Sequence, residues 1–86
     1  MGNNFDENEL LYIRKAITEK MDNDKEVIEN WKNYKFENIG NMKTMFANEQ
    51  AFEIVKQEVI EEREKSIKIG DTMLEKIDNI MYGEEN

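Results

Sequence analysis

The chain has 86 residues, with 12 Lys or Arg against 20 Asp or Glu, and a formal net charge of −8. It contains no cysteine, which excludes disulfide scaffolds and thiol nucleophiles. It also contains no histidine, the side chain most often used as a general base near neutral pH. A chain of this length forms one domain that buries only about 60–65% of its unfolded surface. The sequence therefore predicts a small acidic domain whose thin core is completed by self-association or by a partner.

The composition favours helix along almost the whole chain, because proline is absent and only four glycines interrupt it. We predict an all-α fold that forms a single domain over residues 1–86. Its architecture is expected to be a helical hairpin or bundle of roughly three to four helices, completed by oligomerisation. The turn of the hairpin is placed at Gly40, and the expected helices run roughly over 6–21, 24–39, 42–69 and 71–82.

The first predicted helix has a clear start signal. Asp6 is placed to cap it, and Glu9 follows at the position that completes a capping box. Apolar residues then recur at helical spacing in one narrow stripe, which is typical of a coiled-coil seam. We assign this stripe to the core or to an oligomer contact, and its members are Leu10, Ile13, Ile17 and Met21.

Residues 22–24 leave two alternatives open. Their sequence, Asp-Asn-Asp, is poor in helix formers and rich in capping residues, so a helix can end there. Ile28 and Trp31 nevertheless continue in phase with Leu10, as one continuous helix would require. Gly70 followed by Asp71 offers a similar stop and cap in the second half of the chain.

The second half of the chain continues the apolar pattern on one helical face. The residues that we assign to the core or oligomer stripe there are Phe52, Val59, Ile77 and Ile80. Six polar residues in a row, 61–66, interrupt the pattern. The negative charge lies toward the ends of the chain, whereas the middle combines aromatic residues with lysines.

Three aromatic residues, Trp31, Tyr34 and Phe36, alternate with cations in the middle of the chain. One interpretation is that they anchor the core beside the turn, with the lysines reaching outward to solvent. A second is that they contact a partner protein, since Trp and Tyr are enriched at the centres of interfaces. A third, contact with a nucleotide, is opposed by the net negative charge of the chain.

Carboxylates form the other candidate interaction surface. They line the predicted outer side of the third helix and include Glu58, Glu61, Glu62 and Glu64. Such a row can be a solvated surface, or it can complement the basic groove of an enzyme that processes nucleic acid.

Two acidic pairs, Glu58-x-x-Glu61 and Glu75-x-x-Asp78, resemble the metal-binding pattern of the all-α nucleotide pyrophosphohydrolases. The resemblance implies a helical, oligomeric enzyme in which carboxylates from two helices hold Mg²⁺ on a triphosphate. Such a site requires carboxylates that converge on the cation. Glu61 and Glu75 are out of phase with the neighbouring apolar residues, so we assign these acids to a solvated face.

The sequence as a whole favours a non-enzymatic binding protein without catalytic residues, cofactor or metal. We expect it to inhibit or regulate a partner protein, and the partner class that its charge favours is a nucleic-acid-processing enzyme with a basic groove. Small inhibitors of this kind are often encoded by phages or mobile elements. One alternative is a structural helical oligomer, and another is a nucleotide-binding protein or pyrophosphohydrolase-like enzyme. We expect a cytoplasmic homodimer or higher oligomer that contacts neither nucleic acid nor membrane directly.

Overall fold

The computed structural model describes residues 5–82, and this part of the chain is helical without any strand. Two long α-helices, α1 (Glu7–Asn33) and α2 (Glu49–Tyr82), form an antiparallel hairpin with principal extents of 55 × 18 × 18 Å. Two short 3-10 helices, Phe36–Asn38 and Gly40–Met45, lie in the connection. The all-α prediction is confirmed, but the described chain has two α-helices in place of the three to four expected.

The start of α1 follows the capping signal in the sequence. The backbone N–H of Glu9 donates to Oδ1 of Asp6 at 2.8 Å, and the N–H of Asp6 donates to Oε1 of Glu9 at 2.9 Å. Both hydrogen bonds satisfy amide groups that the first turn of a helix leaves without a partner. The predicted capping box is therefore confirmed.

The first helix continues through residues 22–24, so the expected break there is wrong and the continuous alternative is observed. Its capping-type residue Asp24 is accommodated because its side chain has partners on α2. The expected helix over 24–39 is also too long, since α1 ends at Asn33. Tyr34 and Lys35 adopt extended backbone conformations that the helix cannot include.

The two glycines that the sequence marked as stops behave differently. Gly40 has a left-handed φ of 61°, a conformation that glycine adopts readily. No atom lies within 4 Å of where a Cβ would be, so the turn needs glycine here for its backbone conformation and not for space. Gly70 lies inside α2 and is buried, so the predicted end of a helix at residue 69 is wrong. A Cβ at position 70 would come within 2.6 Å of Met21 Cγ and Sδ. Gly70 therefore allows the two helices to approach closely.

The second helix begins at Glu49 rather than near residue 42. Residues of the expected first turn instead form the 3-10 helix Gly40–Met45. Asn48 caps α2, because its Oδ1 accepts a hydrogen bond from the backbone N–H of Ala51 at 2.8 Å.

The apolar contact between α1 and α2 is narrow. Within residues 5–82 the buried apolar side chains are Leu10, Met21, Ile28, Phe52 and Ile77. Among the other residues assigned to the core or oligomer stripe, Ile13, Ile17 and Val59 are half-buried, whereas Ile80 is exposed. Neither of the described α-helices has an apolar stretch long enough to cross a membrane.

Candidate interaction surfaces

Phe52 is the centre of an aromatic cluster at the end of the hairpin nearest the connection. Its side chain is fully buried. Three rings surround it, with centroid distances of 6.1 Å to Trp31, 5.9 Å to Phe36 and 5.3 Å to Phe46. Trp31 comes from α1, and the other two come from the connection. The cluster thus ties α1, α2 and the connection together.

The three aromatic residues predicted to contact a partner lie in or beside this cluster. Trp31 stacks on Phe52 and also makes an edge contact with Tyr34 at 5.2 Å. Lys56 donates a hydrogen bond of 2.8 Å to the carbonyl oxygen of Tyr34. Trp31, Tyr34 and Phe36 are all half-buried, so packing accounts for much of their surface. Their role as contacts for a partner protein stays a prediction.

A buried ionic cluster lies between the two helices near the middle of the hairpin. The side chain of Asp24 is 0% exposed. Its Oδ1 accepts hydrogen bonds from Lys20 at 2.6 Å and from Nη1 of Arg63 at 2.8 Å. Its Oδ2 accepts a hydrogen bond from the Ser66 hydroxyl at 2.6 Å. Two of the three donors, Arg63 and Ser66, lie on α2. The cluster therefore links the two helices at a defined position along each of them.

The surroundings of Asp24 act on its ionisation in opposite directions. Burial by itself raises the pKa of a carboxyl group, because the charged form loses its hydration. Hydrogen bonds from Lys20, Ser66 and Arg63 favour the charged form, and the net result is a pKa of about 2. Asp24 is therefore a carboxylate at neutral pH. Because all its partners come from this chain, we assign the cluster to the register of the helix pair rather than to catalysis.

Sequence reasoning treated Asp24 only as a capping residue and missed its place in the core. A signal was present, since Asp24 lies three residues after Met21 and four before Ile28, in the middle of the apolar stripe. An acid at a stripe position requires a buried cationic partner. That partner, Arg63, is 39 residues further along the chain, and no local pattern identifies it.

The four glutamates proposed as a partner surface, Glu58, Glu61, Glu62 and Glu64, are all exposed on α2. In residues 5–82, only Asp24 and Asp78 among the acidic side chains form ion pairs. The helical pairs Glu61–Lys65 and Glu64–Lys68, which could have neutralised part of this row, are therefore not formed. The row keeps its negative charge on the surface.

The acidic pairs that resemble the pyrophosphohydrolase pattern lie on one continuous helix, α2. Glu61 and Glu75 are separated by about 21 Å along its axis at 1.5 Å per residue. Carboxylates this far apart cannot share a cation within one copy of the chain. Asp78 is instead bound by Nε of Arg14 at 3.0 Å, and this hydrogen bond raises the pKa of Arg14.

The part of the chain that the structure describes contains no group of three or more acidic side chains arranged to hold a metal ion. Comparison with known proteins finds no match to a family model, to a curated protein or to a solved structure.

Proposed function

We propose that the chain is a cytoplasmic, non-enzymatic binding protein that inhibits or regulates a partner protein carrying a basic surface. The partner class favoured by charge is an enzyme that processes nucleic acid and has a basic groove. Binding is to the protein, and nucleic acid competes for the same groove. The proposal rests on the net charge of −8 and on the row of glutamates along α2 that form no ion pairs.

The observation that most supports this function is that two cations close to the glutamate row bind groups inside the hairpin and not the glutamates. Arg63 interrupts the glutamate row in the sequence, but its guanidinium is directed to the buried Asp24. Lys56 is likewise bound to the carbonyl oxygen of Tyr34. Two of the cations of α2 beside the glutamates are thus bound within the hairpin, whereas Lys65 is exposed and forms no ion pair with them. From Glu53 to Glu64 the helix presents exposed carboxylates over about 17 Å.

Such a surface acts mainly on the rate of association. Complementary charge steers two proteins together at low ionic strength, and this effect weakens as salt screens it. Half-buried aromatic residues at Trp31 and Tyr34 would act on the lifetime of the complex instead. Charge and aromatic contacts therefore predict different kinetic effects of mutation.

The test compares two variants with the same change in charge. In the first, Glu58, Glu61, Glu62 and Glu64 are replaced by Gln, and in the control four exposed glutamates of α1 are replaced, namely Glu7, Glu19, Glu26 and Glu29. Each immobilised protein is exposed to a bacterial lysate at about 50 and about 500 mM salt, over which screening increases several-fold. Retained proteins are identified by mass spectrometry.

We expect proteins that the parent and the α1 control retain at low salt to be lost from the α2 variant. Added nucleic acid should release the same proteins. The proposal is rejected if the α2 variant retains them as well as the parent does, or if retention does not depend on salt.

A further inference from the structure

One flank of α2 carries a second stripe at helical spacing, about 110° around the helix from the buried Phe52, Gly70 and Ile77. Glu62 and Thr72 share its phase, and we give the name outer stripe to the six residues Ile54, Glu58, Lys65, Ile69, Lys76 and Ile80. All six side chains are exposed, including the apolar ones at 53% for Ile54, 62% for Ile69 and 47% for Ile80. A surface of this kind is unusual for a helix that faces only water, since apolar residues recur along its full length.

The order of residues in the outer stripe is self-complementary. Ile54 and Ile80 lie equally far before and after position 67, and so do Glu58 and Lys76. Lys65 and Ile69 are also placed symmetrically about this position. When two identical helices pair antiparallel around a two-fold axis, each residue meets the one at the mirrored position. Ile54 would then meet Ile80 of the second copy, Glu58 would meet its Lys76, and Lys65 would meet its Ile69.

The elongated single chain exposes more surface than a compact domain of the same length. Its radius of gyration is 18.4 Å, whereas a compact domain of this length has about 12 Å. Its accessible surface is 6580 Å², about 1,200 Å² more than the ~5,400 Å² of a typical folded monomer of this mass. A stable interface of standard size takes about 800 Å² from each partner.

We propose that the outer stripe of α2 pairs antiparallel with the outer stripe of a second copy, about a two-fold axis level with residue 67. This inference concerns a homodimer and goes beyond the proposed function. The charges support this register, because Glu58 of each copy lies opposite Lys76 of the other. The paired region extends over about 39 Å from Ile54 to Ile80.

Dimerisation on this face leaves part of the glutamate row accessible. Glu64 is exposed and lies about 120° around the helix from Glu58, outside the outer stripe. It remains available to a basic partner in the dimer, whereas Glu58, Glu61 and Glu62 face the second copy by their helical phase. A Glu64→Gln variant should therefore weaken partner binding without changing the mass of the protein.

The experiment is a charge exchange measured by light scattering after gel filtration of the purified chain at micromolar concentration. The parent should elute at twice the chain mass of 10.3 kDa. Glu58→Lys and Lys76→Glu each place like charges opposite one another and should raise the dimer dissociation constant about tenfold or more. The double variant Glu58→Lys/Lys76→Glu restores opposite charges at the same net charge as the parent, and it should restore the dimer.

Two further variants control for general effects of charge and of lost apolar surface. Glu53→Lys makes the same charge change as Glu58→Lys at an exposed position of α2 outside the outer stripe, and it should leave the dimer intact. Ile69→Lys should separate the copies, whereas Leu11→Lys, at a 44% exposed position of α1, should not. Circular dichroism should show that all variants keep the helix content of the parent.

The proposal is overturned if the parent is a monomer at these concentrations. It is equally overturned if the double charge exchange fails to recover the dimer that the single variants lose, since the predicted register would then be wrong. Loss of the dimer in Glu53→Lys or Leu11→Lys to the same extent would also reject this face. These measurements need no partner protein, so their failure is independent of the proposed inhibitory function.

Discussion

The two ends of the hairpin differ in which elements cover their buried apolar side chains. At the end near the connection, Phe36 and Phe46 from the connection close over Phe52 as a third layer. At the opposite end only α1 and α2 are present in the described residues, and they bury Leu10 and Ile77 between them. Two helices alone can bury one narrow stripe each. The difference shows that complete burial of the large ring of Phe52 uses a third element.

Replacing Phe52 by Ala is expected to have the largest effect on stability. The substitution removes the fully buried centre of the aromatic cluster and leaves a cavity lined by three other rings. We expect the free energy of unfolding to fall by about 3–5 kcal/mol. Urea unfolding at fixed protein concentration measures the loss.

The matched control for Phe52→Ala is Leu11→Ala, at a half-exposed position of the opposite end. It should cost less than about 1 kcal/mol, because little packing is lost there. Equal losses for the two substitutions would contradict the contrast between the two ends.

Asp24 lies between the two ends, and its removal is expected to have the second largest effect. Asp24→Ala leaves Arg63 and Ser66 without their buried partner, which should cost roughly 3 kcal/mol. The exposed Asp22 provides the control, and Asp22→Ala should change stability by no more than about 0.5 kcal/mol. Similar values for both variants would show that the ionic cluster does not hold the helices in register.

The pH dependence of stability gives a second measurement of the same cluster. The pKa of Asp24 falls from an ordinary 3.8 to about 2 on folding, so the charged form stabilises the fold. This contribution is fully present above pH 3.8 and is lost as the pH falls through about 2. Between about pH 5 and pH 2 the parent should lose on the order of 2 kcal/mol more than Asp24→Asn does. Parallel pH profiles for the two proteins would contradict this assignment.

Gly70→Ala is expected to have the smallest effect, because two contributions oppose each other. Alanine favours the helix by about 1 kcal/mol over glycine, but its Cβ would collide with Met21 at 2.6 Å. Overpacking of this kind typically costs about 1–3 kcal/mol, so we expect a net loss of about 1 kcal/mol. In a Met21→Ala background the collision is absent, and Gly70→Ala should become stabilising. A stabilising effect of Gly70→Ala in the parent itself would show that the helices do not approach closely there.

Much of the secondary structure could be predicted from the sequence, because its signals are local. The capping box at Asp6 and Glu9 involves groups three residues apart, and the structure forms both of its hydrogen bonds. The phase of Ile28 and Trp31 with Leu10 likewise indicated a continuous first helix. The breaks expected at 22–24 and at Gly70 were wrong for the same reason, since local propensity favours a stop at both places and tertiary contacts override it.

The sequence predicted the exposed row of glutamates on α2. It did not predict which groups bind the cations next to that row. Arg63 stands among glutamates, and only the fold shows that it pairs with an acid on the other helix. Trp31 and Phe36 were recognised as either core or contact residues, and only the fold shows that both pack against Phe52.

The sequence by itself determined that this chain is helical, where its first helix begins and which stripe of that helix turns inward, because these properties depend on residues within a few positions of one another. The tertiary structure decided that Gly70 stays in a helix, that Asp24 is buried and charged, and that Phe52 is the centre of an aromatic cluster. Each of these outcomes depends on a contact between separate segments of the chain, such as the hydrogen bond between Asp24 and Ser66, which are 42 positions apart. The free energy of such a contact appears only when folding brings the segments together, so no local pattern contains it.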